Sequence, residues 1–163
     1  MRSARSNLWL PVLGAAAAAI LVAGLGSTMT ELGPWYHELK KPSWQPPDWL
    51  FGPAWTLIFG LAALAGMQWW RYAPSARNRR WMLVLFALNA LLNLAWSTLF
   101  FYMRRPDWAL LEVAVLWLSI VALILATPAK PSTPAWLLAP YLVWVTIAAA
   151  LNFAVVKLNA PFI

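Results

Sequence analysis

Residues 35–55 read WYHELKKPSWQPPDWLFGPAW, a polar, proline-studded stretch set between two long apolar runs. It holds four tryptophans, Trp35, Trp44, Trp49 and Trp55, and four prolines, Pro42, Pro46, Pro47 and Pro53. Proline fixes φ and removes a backbone donor, so the segment from Pro42 to Pro47 is not an ordinary helix. A stiff loop of this kind loses little conformational entropy when it is ordered over a partner. Its tryptophans and Tyr36 join large apolar faces to one donor each, which suits a membrane interface or the cover of a ligand pocket. On physics alone, a rigid aromatic connector and a ligand-covering lid over residues 29–49 explain the stretch equally well.

The rest of the chain places this loop in a membrane. Apolar residues make up 63% and charged residues 10% of the 163 positions, far from the average of soluble domains. The apolar runs are long and unbroken, whereas the strands of a membrane barrel alternate, so the expectation is a single all-α membrane domain. The absence of cysteine excludes a disulfide, a thiolate metal site and a cysteine nucleophile. The net charge of +7 sits in short clusters beside apolar runs. Anionic lipid head groups, rather than nucleic acid, are the partners such clusters fit.

Five spans are expected, over residues 8–28, 50–70, 81–103, 107–127 and 135–157. The first follows Arg2 and Arg5 and resembles a signal peptide in its small residues Ala15 to Ala19. Its length is nearer the roughly 20 residues of a spanning helix than the about 7–15 of a signal core, which favours a retained helix. In the second span, Ala62 and Gly66 form a small-xxx-small pair, suited to helix packing or a homodimer seam. Asn89, Asn93 and Trp96 fall on one face of the third span. Uncompensated amides are costly in hydrocarbon, so this face turns toward a partner helix or a cavity. Interhelical hydrogen bonding and ligand contact both remain open for each. Asp107 is expected to cap the fourth helix; Glu112, about one turn inside, would point inward, be protonated or reach the interface, and a pairing with Arg104 or Arg105 is favoured over a proton relay. In the fifth span Tyr141, Trp144, Ala148 and Asn152 make a stripe that is aromatic, then small, then polar; it would line a cleft or pack against neighbours equally well. Pro140 is expected to bend that helix near its start.

An odd number of spans puts the termini on opposite sides. Seven basic residues then share the N-terminal side (Arg2, Arg5, Arg71, Arg77, Arg79, Arg80 and Lys130) and five the other (Lys40, Lys41, Arg104, Arg105 and Lys157). The bias leans toward a cytoplasmic N-terminus and an external 35–55 loop. No phosphate-cradling glycine loop is present, and the single histidine, His37, excludes a multi-histidine metal site. No nucleophile, base and orienter can be assembled from spacing.

The loop motif, the run N-x-x-W-S-x-x-F-F from Asn93 to Phe101, and PYLVWVTIAAALNF from Pro140 to Phe153 together resemble the translocator protein family, also called tryptophan-rich sensory proteins or peripheral-type benzodiazepine receptors. The resemblance covers all but the first helix and the variable loops. It implies a bundle of five transmembrane helices, commonly homodimeric, with a pocket near the first loop. The implied ligands are protoporphyrin IX or haem-related tetrapyrroles and drug-like molecules, with cholesterol in animal members; no resident cofactor is required. The implied role is a sensor or regulator of tetrapyrrole metabolism and stress. Alternatives are a light-dependent porphyrin-degrading enzyme and a sterol or porphyrin transporter. By motif, Tyr36 and Pro46 belong to the lid, Trp55 and Trp144 flank the pocket, and Asn93, Trp96 and Ala148 line it. Trp55 and Trp144 are also the candidates for a catalytic role in light chemistry; no metal ligands are implied. A bacterial cell membrane is the expected location, or the mitochondrial outer membrane in a eukaryote. One departure is Phe153, which stands where the family's sterol motif has tyrosine, between Leu151 and Lys157. It lowers the expectation of sterol binding.

Overall fold

A computed structural model describes residues 14, 24, 32–128 and 133–162. All of its elements are helical: α1 (Pro34–Glu38), α2 (Asp48–Tyr72), α3 (Ala76–Ser97) continuing into a π-helix (Thr98–Tyr102), α4 (Pro106–Ala126) and α5 (Thr133–Asn159). Among the described residues four helices are long and apolar enough to cross a membrane: Asp48–Tyr72, Ala76–Tyr102, Pro106–Ala126 and Thr133–Asn159. The chain is a multi-pass helical membrane protein. The expected first span, residues 8–28, lies outside the described residues apart from Gly14 and Gly24, both helical.

Local chemistry sets the helix ends. Pro47 precedes α2 and Asp48 opens its first turn, where a carboxylate complements the helix dipole. Ser75 caps α3, its Oγ accepting from the Asn78 backbone N–H at 3.1 Å. The third span is not a uniform α-helix. From Thr98 its ladder widens, with the Met103 N–H donating to the Thr98 carbonyl at 2.8 Å. Arg104 then takes a positive φ of 54°, and Pro106 starts α4 at the position where its missing donor is harmless. Two expectations are corrected here. Arg105, not Asp107, is the residue preceding α4, and Asp107 sits in the first turn. Arg105 pairs with Asp107, its Nε donating to Oδ1 at 2.8 Å, because two positions of separation in one turn bring them within reach. Glu112 therefore has neither arginine, and both its carboxylate oxygens are buried with no hydrogen-bond partner.

α5 packs against both α2 and α4, and α4 packs against α3. α2 and α3 meet near the Ala73–Ser75 corner that joins them. There the Trp69 indole N–H donates to Asn78 Oδ1 at 2.7 Å and its ring meets Phe86 edge-on at 6.2 Å. A Cβ on Gly66 would come 3.7 Å from the Phe86 ring, so that half of the small-xxx-small pair serves contact within the chain. The core falls into three clusters stacked along the bundle. One lies around Trp69 and Leu123, one around Ile58, Leu116 and Tyr141, and one around Tyr36, Phe100 and Ala109. Large apolar side chains such as Leu111, Leu125 and Trp136 are exposed on the outside, the arrangement expected where lipid is the solvent.

Candidate functional site

Spacing in α2 puts Phe51, Trp55 and Phe59 on one stripe, each four residues apart. Trp55 stacks on Phe59 (centroids 5.2 Å, 23° between planes) and meets Tyr141 and Trp144 of α5 edge-on at 6.1 and 6.4 Å. Phe51 closes the group, edge-on to Trp144 at 5.7 Å. The structure thus brings Trp55 and Trp144 together as one aromatic wall. The two rings are in perpendicular contact, with no slot between them.

Tyr141 links this wall to a buried polar ladder. Its hydroxyl donates to Asn89 Oδ1 at 3.1 Å and accepts from Asn93 Nδ2 at 3.3 Å. Asn89 Nδ2 in turn donates to Ser119 Oγ at 2.8 Å. Nearer the loop, the Trp96 indole donates to Asn152 Oδ1 at 3.2 Å, and Asn152 Nδ2 donates to the Pro106 carbonyl at 2.8 Å. Every polar residue on the Asn89–Asn93–Trp96 face is therefore engaged between helices. This is the arrangement that satisfies amides where water is absent.

The loop closes over the same end. Tyr36, 4% exposed, packs with Phe100, Ala109 and Val155, and its ring lies 5.8 Å from Phe101. Its hydroxyl meets Asp48 Oδ1 at 3.4 Å, and Gln45 Nε2 donates to both, at 3.3 Å to the hydroxyl and 3.0 Å to the carboxylate. Lys41 Nζ stands 3.7 Å from the Tyr36 ring centre, a cation–π contact. Burial above all, then the Asp48 charge and its hydrogen bond, push the Tyr36 phenol up to about 12. Asn159 at the end of α5 ties the loop down: its Oδ1 accepts from the Lys40 N–H and its Nδ2 donates to the Lys40 carbonyl, both at 2.8 Å.

Of the other expected site residues, Pro46 is half-buried beside Gln45, and Ala148 lies one turn beyond Trp144, also half-buried. An apolar groove of about 490 Å³ runs between α2 and α5, lined by Leu57, Ile58, Pro140, Val143 and Trp144 among others. It is open on the exposed faces of Leu57 and Val143 and brings in Trp144 but not Trp55. Among the described residues no group of three or more His, Asp or Glu converges as metal ligands, and His37 is exposed at the loop surface. Sequence reasoning missed Phe51 and Phe59, which their spacing of four from Trp55 signals. It also missed Ser119 and Asn159, whose partners lie 30 and 119 residues away and leave no local pattern, and Gln45, which bridges Tyr36 and Asp48 within the loop itself.

Comparison with known proteins supplies the lineage. The model of the TspO/MBR family matches residues 12–158. The Tryptophan-rich protein TspO of Chlorobaculum tepidum is 43% identical over 148 residues, covering 86% of this chain and 90% of its own. Protein CrtK of Rhodobacter capsulatus is 33% identical over 141 residues, 86% of this chain and 88% of its own. The Translocator protein of Homo sapiens is 30% identical over 154 residues, 93% of this chain and 91% of its own.

Proposed function

This chain belongs to the TspO/MBR family, and from that premise we propose that it binds a planar tetrapyrrole such as protoporphyrin IX and acts as a sensor or regulator of tetrapyrrole metabolism. The observation that carries the reading is the linkage of three parts. These are an aromatic wall (Phe51, Trp55, Trp144), a polar ladder that meets it at Tyr141 and runs by Asn93 to Trp96, and a loop packed by Tyr36 in the cluster beside Trp96 and tied to α5 by Asn159. The wall supplies apolar area for one face of the ring, while the indole N–H groups of Trp55 and Trp144 recognise its polar edge, and the interhelical ladder holds the wall in place. Tyr36 and Pro46 cover the ligand, and Ala148 leaves room for it beside Trp144. The proposed architecture has five spans, residues 8–28 forming the first, and pairs as a homodimer.

The test is titration of purified protein with protoporphyrin IX in the dark, followed by tryptophan quenching, beside the Trp55→Phe/Trp144→Phe variant. Saturable quenching, weakened at least tenfold in the variant, supports the site; each lost tenfold corresponds to about 1.4 kcal/mol. Linear quenching, or equal quenching in both proteins, means that porphyrin only partitions into the apolar phase and ends the proposal. Repeating the titration under illumination separates binding from degradation. A discrete product that vanishes in the variant would make the protein an enzyme, and bleaching at the rate of free porphyrin would not.

A further inference from the structure

The two ends of the bundle differ sharply in charge. At the loop end the described residues include five basic side chains, Lys40, Lys41, Arg104, Arg105 and Lys157, and four acidic ones, Glu38, Asp48, Asp107 and Glu112. At the opposite end, around the corner joining α2 to α3, stand Arg71, Arg77, Arg79 and Arg80 with no acidic residue among the described ones. Arg79 is committed, its Nε donating to the Trp70 carbonyl at 3.2 Å and its guanidinium lying 5.2 Å from the Trp70 ring centre. Arg71, Arg77 and Arg80 are exposed, Arg71 lying 5.5 Å from the Tyr72 ring centre, and none of the three is in an ion pair among the described residues.

The corner that presents them is rigid. Ser75 caps the helix through Asn78, whose side chain accepts from the fully buried Trp69 indole. Like charges gathered at one corner, Arg71 ending α2 and Arg77, Arg79 and Arg80 in the first turns of α3, repel one another, which an external anion relieves. The flanks of the patch are apolar: Tyr72 and Trp81 are exposed at interfacial positions, and Leu64 of α2 with Leu83 and Val84 of α3 are exposed toward the membrane interior.

We propose that this corner is a binding site for an anionic phospholipid, its phosphate held by Arg71, Arg77 and Arg80 and its acyl chains lying along Leu64, Leu83 and Val84. Unbalanced positive charge meeting a continuous apolar surface selects a lipid over a free anion, which would use only the arginines. The site lies at the far end from the aromatic wall, so it stands or falls independently of porphyrin binding.

The test uses the full chain in phosphatidylcholine vesicles containing a small fraction of brominated phosphatidylglycerol or, separately, brominated phosphatidylcholine. Trp81 emission, isolated by difference from a Trp81→Phe protein, reports the neighbouring lipid. Preferential quenching by the anionic lipid is expected. Each neutralised arginine should weaken that preference about fivefold, so Arg71→Gln/Arg77→Gln/Arg80→Gln should lose it about a hundredfold. The corresponding triple lysine variant should keep most of it, and excess inorganic phosphate should not compete. Equal quenching by both lipids, an unchanged preference in the glutamine variant, or displacement by inorganic phosphate would each overturn the assignment. Should the glutamine variant fail to fold, the lipid comparison on the unmodified protein decides alone. Porphyrin affinity of a folded glutamine variant is expected to match the parent.

Discussion

Replacing Asn152 by alanine tests whether the buried ladder holds the bundle together. Asn152 is 1% exposed and spans two seams, accepting from the Trp96 indole of α3 at 3.2 Å and donating to the Pro106 carbonyl that opens α4 at 2.8 Å. Truncation leaves both of those groups without a partner and adds a small void. An orphaned buried group costs about 1–3 kcal/mol in soluble proteins. Hydrogen bonds between membrane helices average about 0.6 kcal/mol by double-mutant cycles, since the reference state also finds partners. Two orphans and a void therefore amount to about 2 kcal/mol, which for a chain of this length lowers Tm by about 4–8 °C. Thermal unfolding in detergent, followed by near-UV circular dichroism, measures it. Trp96→Phe keeps an aromatic ring where the indole stacks on Phe100 at 5.3 Å, and removes the donor with part of the ring system. If the bond matters, the double variant should lose about 0.5–1 kcal/mol less than the sum of the single changes. A change for Asn152→Ala within about 0.5 kcal/mol, the range of an ordinary surface substitution, together with strict additivity, would refute the reasoning.

The remaining predictions concern the loop and the unpartnered carboxyl. The Tyr36 phenol is raised from 10.0 to about 12 by folding, so its neutral form is the one the fold favours. Its contribution to stability is complete below pH 10, falls as pH rises, and is gone above about 12. Tyrosinate absorbance should show a late-titrating phenol that is missing from Tyr36→Phe, and a difference between the two proteins that titrates near 10 would contradict this. Asn159→Ala removes the two-way tie to Lys40; the bonds are exposed, so the cost is about 1 kcal/mol, seen as roughly fivefold faster hydrogen exchange or proteolysis in residues 39–47. Unchanged exchange there would mean that the loop is held elsewhere. Glu112→Leu should raise Tm by a few degrees, because it exchanges a buried carboxyl with no partner for an apolar side chain of similar size. A loss of stability would show that the carboxyl has a role in holding the bundle.

Much of this architecture is decided by composition and periodicity. Apolar runs of spanning length over residues 50–70, 81–103, 107–127 and 135–157 leave the backbone one way to satisfy itself in lipid, which is to be helical. Prolines from 42 to 47 similarly dictate a non-helical loop, and the spacing of Asn89, Asn93 and Trp96 dictates that they share a face. Periodicity states which residues look inward and is silent on what they meet. Tertiary packing alone decided that Asn93 and Asn89 share the Tyr141 hydroxyl, that Trp96 is bound to Asn152, and that Trp55 and Trp144 touch edge-on. It also decided that Asp107 takes Arg105 and leaves Glu112 without a partner. A helix repeat is a property of one chain segment and is encoded within a few residues. A hydrogen bond between helices depends on the register and rotation of two segments dozens of residues apart, which only the packed bundle sets.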